Sequence, residues 1–174
     1  MVSLQGERIY LRALEPEDLE FVYAIENNTE LWALSDTQTP YSRFLIKQYL
    51  EHAQQDIFEA KQLRLAICNL NDATIGLIDL FDFDIKNKRA GIGILIQDED
   101  QRQQGYGKEA LSMLVNYSFK TLHLHQVYAN ISEHNKASLK LFESNGFKII
   151  GLKKDWSFDG TKYTNEYLLQ RIND

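Results

Sequence analysis

Arg89-Ala90-Gly91-Ile92-Gly93-Ile94-Leu95-Ile96, a polar loop, and then Arg102-Gln103-Gln104-Gly105-Tyr106-Gly107 decide the fold of this 174-residue chain. The octet is short, aliphatic and bounded by charge, the pattern of a buried strand. After Gly107, the residues Ala110, Leu111, Leu114, Val115, Ser118, Phe119 and Leu122 recur at three- and four-residue spacing. That spacing predicts a helix with one apolar stripe laid on a sheet. A strand, glycine loop and helix in direct succession gather unpaired N–H groups at one point, where they and the helix dipole attract an anion such as phosphate. Glycine at 105 and 107 removes the Cβ atoms that would hold a pyrophosphate off the backbone, and Arg102 offers a charge-assisted contact.

Toward the N-terminus, Leu63 to Cys68 and Thr74 to Phe83 read as an antiparallel pair across a turn at Asn69 to Asp72, and Asp84 to Lys88 turns back into Arg89. Arg8 to Leu14 alternates polar and apolar, which predicts a first strand with Ile9, Leu11 and Ala13 inward. Glu15-Pro16-Glu17-Asp18 opens a helix that continues through Leu19, Val22, Tyr23 and Ile25 to Asn27 and Asn28. The pattern breaks from Leu31 to Thr39. Thr39-Pro40-Tyr41-Ser42 then leads into a helix ending near Gln55, with Phe44, Leu45, Tyr49 and Leu50 as its expected buried face.

Toward the C-terminus, Gln126 to Ile131 reads as a strand parallel to the one ending at Ile96, because a helix lies between them. Asn135 to Ser144 is a short helix stopped at Gly146, and strands follow at Phe147 to Leu152 and Tyr163 to Arg171. Asp155 to Tyr163 reads as a hairpin turning at Asp159-Gly160.

Residues 1–174 are read as one domain, long enough to bury a core without disulfides or metal. A formal net charge of −6 disfavours a nucleic-acid partner and favours a cationic substrate. Cys68 sits in the apolar run Leu65-Ala66-Ile67-Cys68 and reads as a small buried thiol. The N-terminus lacks a basic start followed by a long apolar core, and no stretch approaches the length of a membrane span, so a cytoplasmic protein without a membrane partner is expected. His52, His123 and His125 lack clustered carboxylates or cysteines, and no metal is expected.

The hexamer from Arg102 to Gly107 matches the Q/R-x-x-G-x-G/A signature of the GNAT superfamily of acetyl-CoA-dependent N-acetyltransferases. The chain resembles that family most strongly from Arg89 to Phe147, where Asn135-Lys136-Ala137-Ser138-Leu139-Lys140-Leu141-Phe142-Glu143-Ser144-Asn145-Gly146-Phe147 supplies the second half of the signature. The resemblance implies an α/β (α+β) fold with a mixed, mostly antiparallel central sheet of about seven strands, a parallel pair splayed at its centre, and about four flanking helices. It implies a bulge and splay at Leu95, Ile96 and Gln97, whose main chain would pair with the pantetheine arm of acetyl-CoA. The pyrophosphate would rest on Arg102, Gln103, Gln104, Gly105, Tyr106 and Gly107, with Asn135 and Ser138 across the channel. Asn135 reads equally as the N-cap of its own helix.

Acetyl transfer from a thioester to an amine needs a neutral amine, a donor for the oxyanion and a proton for the leaving thiolate. The resemblance gives the donor as the N–H near Ile96. Many relatives carry a tyrosine acid in an L-Y-E triplet where this chain has Leu141-Phe142-Glu143, and a glutamate where Gly91 stands. Neither phenylalanine nor glycine can do that chemistry. The acid is then Ser138, Tyr106 or no side chain at all, since CoA thiolate is a modest leaving group, and Asp79, Glu133 and His134 are the base candidates, with Asp79 first; it reads equally as an exposed strand-face carboxylate.

The resemblance places the acceptor site against the region between the first two strands, which singles out Trp32, Asp36 and Tyr41, each of which reads also as an ordinary packing or loop residue. Asp36, Asp79, Asp82 and Glu133 around one cleft would favour a cationic amine. Within the superfamily the chain resembles the ribosomal-protein N-terminal and spermidine acetyltransferases, the latter at Asn27-Asn28 and Pro40-Tyr41. Thr37, Gln38 and Thr39 stand where those enzymes place paired glutamates. The expected function is transfer of acetyl, in a ternary complex, to a primary amine of a small amine, polyamine, amino sugar or protein N-terminus. The alternative, motivated by Phe142 and Gly91, is a CoA-binding sensor or interaction module without catalysis. Aromatics on the Asp155 to Tyr163 hairpin would cover the acceptor cleft or a homodimer partner, or form a plain sheet edge.

Overall fold

In the computed structural model, which describes residues 4–53, 56–98 and 104–174, the strands β1 (Ile9–Ala13), β2 (Leu63–Asn69), β3 (Thr74–Asp84), β4 (Arg89–Ile96), β5 (Gln126–Ser132), β6 (Lys148–Phe158) and β7 (Tyr163–Ile172) form one sheet in the order β1-β2-β3-β4-β5-β7-β6. Every neighbouring pair is antiparallel except β4 and β5. The helices are α1 (Leu19–Glu26), α2 (Trp32–Ser35), α3 (Arg43–His52), α4 (Ile57–Ala60), α5 (Tyr106–Lys120) and α6 (Lys136–Ser144). Crossover through α5 returns the chain to the foot of the sheet, which is what makes β4 and β5 parallel.

The central strands are apolar on both faces because helices cover both. On one face, Ala110, Leu111, Leu114 and Val115 of α5 pack with Leu65 and Ile67 of β2, Ile78 and Leu80 of β3, and Ile92 of β4. The buried Ser118 hydroxyl donates to the Leu114 carbonyl at 2.8 Å, which keeps the stripe free of an unpaired polar group. On the other face, Val22 and Ile25 of α1 and Ile46 and Leu50 of α3 pack on Ala66, Cys68 and Leu77. None of the described helices is long and apolar enough to cross a membrane.

Three expectations need correction. The buried pair of α3 is Ile46 with Leu50, whereas Phe44 is 68% and Leu45 50% exposed. The Ser42 hydroxyl caps the helix at the Leu45 N–H, 3.1 Å away, and the packed face is the i, i+4 pair that α1 can reach. Ala13 is exposed at the end of β1. Strand β6 continues to Phe158, so the predicted hairpin is the tip of one long β6–β7 ribbon. Beyond the four expected helices, α2 and α4 are single turns that a periodicity argument does not see. Ile46→Ala should cost about 2–5 kcal/mol in urea unfolding, and Phe44→Ala about 0.5 kcal/mol or less. Equal costs would put the opposite face of α3 in the core.

Candidate active site

Strands β4 and β5 pair at Arg89 with Gln126, Ala90 with Val127 and Gly91 with Tyr128, and no further. Beyond that point β4 stays with β3 as far as Ile96 opposite Gly76, while β5 stays with β7 as far as Ser132 opposite Glu166. The two parallel strands therefore part after Gly91, and a crevice opens above it. Its apex lies lower than the expected splay at Leu95 to Gln97, and β4 remains in register with β3 through Leu95 and Ile96, without the expected bulge. The Gln97 N–H donates to the Ile75 carbonyl at 2.9 Å. Alternation along the ladder then turns the backbone groups of Leu95 and Gly93 toward β3 and those of Ile92, Ile94 and Ile96 toward the crevice.

Helix α5 starts at the mouth of this crevice. Gly105 is its N-cap, with φ +80°, a left-handed conformation suited to glycine. The first intrahelical bond runs from Glu109 N–H to the Gly105 carbonyl at 3.2 Å, so the N–H groups of Tyr106, Gly107 and Lys108 point out of the helix end. The two glycines serve different ends. A Cβ on Gly105 would stand 2.7 Å from Arg8 Nη2, while one on Gly107 would make an ordinary 3.5 Å contact with Leu141 of α6. Arg8 Nη1 donates to the Gln104 carbonyl, its guanidinium lies 5.4 Å from the Tyr106 ring centre, and its Nε is 3.5 Å from the Glu109 carboxylate. The sequence reading missed this latch, since nothing local to Arg8 signals a partner 96 residues away. Arg102 and Gln103 lie outside the described residues.

Across the crevice, Asn135 caps α6, its Oδ1 accepting from the Ser138 N–H at 3.1 Å. Ser138 is half-buried in the first turn. Phe142 is buried in the main core, edge-on to Phe147 at 5.0 Å.

The opposite face of the sheet gathers ionisable groups. Asp79 stands directly across from Arg64 of β2, and Arg64 pairs with Glu26 of α1 at 2.9 Å and lies 5.9 Å from the Tyr49 ring centre of α3. Burial pushes the Asp79 carboxyl up to about 6, while Arg64 and a hydrogen bond from Gln62 pull the other way. Asp79 is thus no exposed strand-face carboxylate. On β4 the residue opposite Asp79 is Gly93 and the residue opposite Phe81 is Gly91. A Cβ at 91 would lie 2.3 Å from the Phe81 ring, which packs edge-on against Tyr128 with centroids 5.9 Å apart.

Trp32 and Tyr41 are tied to the end of α1: Trp32 Nε1 donates to the Glu26 carbonyl at 2.9 Å, and Asn27 Oδ1 accepts from the Tyr41 N–H at 2.8 Å. Asp36 is exposed at the end of α2. Glu133 closes the top of β5 onto β7, its carboxylate accepting from the Asn165 N–H and Nδ2, each at 3.2 Å. Asp82 lies at the bulge past Phe81, below the crevice apex, so the four carboxylates do not ring one cleft as expected. Chain reversal explains this: β3 runs down where β4 runs up, so each step from Asp79 to Asp82 moves away from the opening.

Residues 8–148 match the family model of the acetyltransferase (GNAT) domain. The chain belongs to the GNAT acetyltransferases. It is an acyltransferase with acetyl-CoA as co-substrate. It is 28% identical over 170 residues to the spermidine N(1)-acetyltransferase of Vibrio cholerae, covering 95% of each chain. It is 26% identical to that of Escherichia coli, covering 90% of this chain and 82% of the relative. Among solved structures, the Vibrio cholerae spermidine N-acetyltransferase in complex with CoA and spermine superposes with a TM-score of 0.85 at 23% identity over 96% of both chains.

The GNAT assignment gives the two departures from the family pattern a physical reading. A glutamate at 91 has no room beside Phe81, and the ring at 142 is committed to the core. The cofactor side fits its ligand: outward N–H groups at the α5 terminus suit a pyrophosphate, and crevice-facing backbone at Ile92, Ile94 and Ile96 suits the amides of a pantetheine arm.

Proposed function

We propose that this GNAT enzyme acetylates a primary amine of a small cationic acceptor, a polyamine foremost, by direct transfer in a ternary complex. The observation that carries the reading is the half-buried Asp79 carboxylate on the acceptor face just above the crevice apex, its pKa raised to about 6 by desolvation. The curated spermidine acetyltransferases that the chain resembles over most of its length support the acceptor class.

Bound acetyl-CoA supplies an activated acetyl thioester. Ile92, Ile94 and Ile96 of β4 orient its arm, and Arg102, Gln103, Gln104, Gly105, Tyr106 and Gly107 hold its phosphates, with Asn135 and Ser138 lining the other wall. The Ile96 N–H, turned into the crevice, donates to the oxygen on which negative charge develops. Asp79 takes the proton that the ammonium must lose before its nitrogen can attack; a C–N bond forms, the C–S bond breaks, the nitrogen gives up its second proton to water, and the thiolate acquires one from water or from Ser138 or Tyr106, which water then reprotonates. Trp32, Asp36 and Tyr41 wall the acceptor from the α1–α3 side, and Glu133 adds negative charge at the top of β5. The exposed Trp156, Phe158 and Tyr163 at the ribbon tip form a homodimer contact.

Thiol release from acetyl-CoA across spermidine, spermine, monoamines, amino sugars and amino-terminal peptides, beside calorimetric titration with CoA, tests the reading. Turnover highest on a polyamine is the expected result. Tight CoA binding with no turnover on any acceptor would establish a binding module instead.

A further inference from the structure

Gly91 and Gly93 lie two residues apart on β4, and therefore on one face of the sheet, the face that carries Arg64, Asp79 and Phe81. Side chains directly opposite one another in an antiparallel pair ordinarily stand side by side, with Cβ atoms about 4.5–5.5 Å apart. Here both β3 side chains lean over β4. The Phe81 ring occupies the place of a Cβ on Gly91, at 2.3 Å, and Asp79 Oδ1 comes within 2.8 Å of where a Cβ on Gly93 would be.

Phe81 shows where this lean leads. Having crossed Gly91, its ring meets Tyr128 on β5, at an interplanar angle of 84°. One step higher, at Gly93, β5 is no longer paired with β4. A carboxylate leaning the same way arrives at the open crevice instead of at a neighbouring strand. Among the described residues, the charged groups around Asp79 are Arg64 on β2 and Glu26 on α1, with Tyr49 of α3 against Arg64 and Gln62, just before β2, hydrogen-bonded to the carboxyl.

We propose that Gly93 is a positioning residue for acetyl transfer: its missing side chain lets β3 reach across β4 and deliver the Asp79 carboxylate into the crevice between β4 and β5. The inference rests on Asp79 as the proton acceptor. A glutamate rising from β4 at position 91 is excluded by Phe81, so in this chain the carboxylate comes from the adjacent strand through the next glycine. A methyl group at 93 pushes the carboxylate back toward Arg64, out of reach of the acceptor nitrogen, and the closer guanidinium holds it ionised to lower pH.

Gly93→Ala isolates this role, because the three atoms nearest its new methyl all belong to the Asp79 carboxyl, the end of a side chain that can swing. The expected result is an about tenfold or greater fall in kcat/KM for spermidine, the scale of lost proton transfer, with the acid limb of the pH profile moved down. The melting transition and calorimetric CoA affinity should stay at the wild-type values. The cross-strand swap Asp79→Gly/Gly93→Asp should recover activity over Asp79→Gly alone, and decides the matter if Gly93→Ala does not fold. Asp79→Asn separates the two readings. Loss of activity there, with an unchanged rate and pH profile in Gly93→Ala or no recovery in the swap, overturns the positioning role and leaves Asp79 as the base. Full activity in Asp79→Asn overturns the base and the positioning role together.

Discussion

Gly105→Val is expected to weaken acetyl-CoA binding by at least about tenfold in a calorimetric titration while the protein remains folded. Gly105 holds φ +80° at the N-cap of α5, a conformation in which a β-branched residue is a steric outlier. Holding it there costs on the order of 1–3 kcal/mol, and about 1.4 kcal/mol is a factor of ten in affinity. The new side chain also meets Arg8 Nη2, which a Cβ alone would approach to 2.7 Å, and so loosens the guanidinium from the Gln104 carbonyl. Relief comes by rewinding the first turn, and that moves the N–H groups of Tyr106, Gly107 and Lys108 away from the anion they face. The fully buried core side chains of the helix begin at Ala110, past the disturbance, so the fold survives. Arg8→Ala keeps the φ of Gly105 and should weaken binding less. Unchanged CoA affinity in folded Gly105→Val would sink the phosphate-loop assignment.

The sheet was legible because its signals are local. Strong alternation or apolar runs set β1 to β5, and the stripe from Ala110 to Leu122 could lie on a sheet in only one way. The phase of α3 was not legible: Phe44, Leu45, Ile46, Tyr49 and Leu50 offer more apolar positions than one face can bury, and contact with α1 selects Ile46 and Leu50. Asp79 was legible as a carboxylate on the right strand, but its environment was not. Arg64 comes from register with β2 and Glu26 from the end of α1, and neither juxtaposition has a sequence spacing. Glycine at 91 reads in sequence as a missing base; in the structure it is the space that Phe81 fills. The early splay could not be read either, because where β5 leaves β4 is decided by the stronger pairing of β5 with β7.

Asp79→Asn is expected to lower kcat/KM for a cationic amine by about 10²- to 10⁴-fold, the range of a lost general base, and to make the protein more stable at pH 8. Both effects have one cause. Burial raises the folded-state pKa of Asp79 from its ordinary 3.8 to about 6, so between those values the native state holds a proton that the unfolded chain has released. Stability from this group is therefore full below about pH 4 and is lost as pH rises through about 6. Asparagine stays neutral throughout, so its advantage in melting temperature should be absent at pH 4 and grow to a plateau above pH 6. Arg64 does not lose its only partner, since Glu26 stays 2.9 Å away. Activity has the opposite sign: Asp79 must be ionised to take the proton, so the wild-type kcat/KM should climb through about pH 6 and again toward the titration of the amine, near pH 10 for an alkylammonium group. Asp79→Asn should keep only the second rise, with CoA affinity unaltered. A persistent limb near pH 6 would assign that titration to another group. A variant less stable than wild type at pH 8 would show that attraction to Arg64 outweighs the burial of the charge.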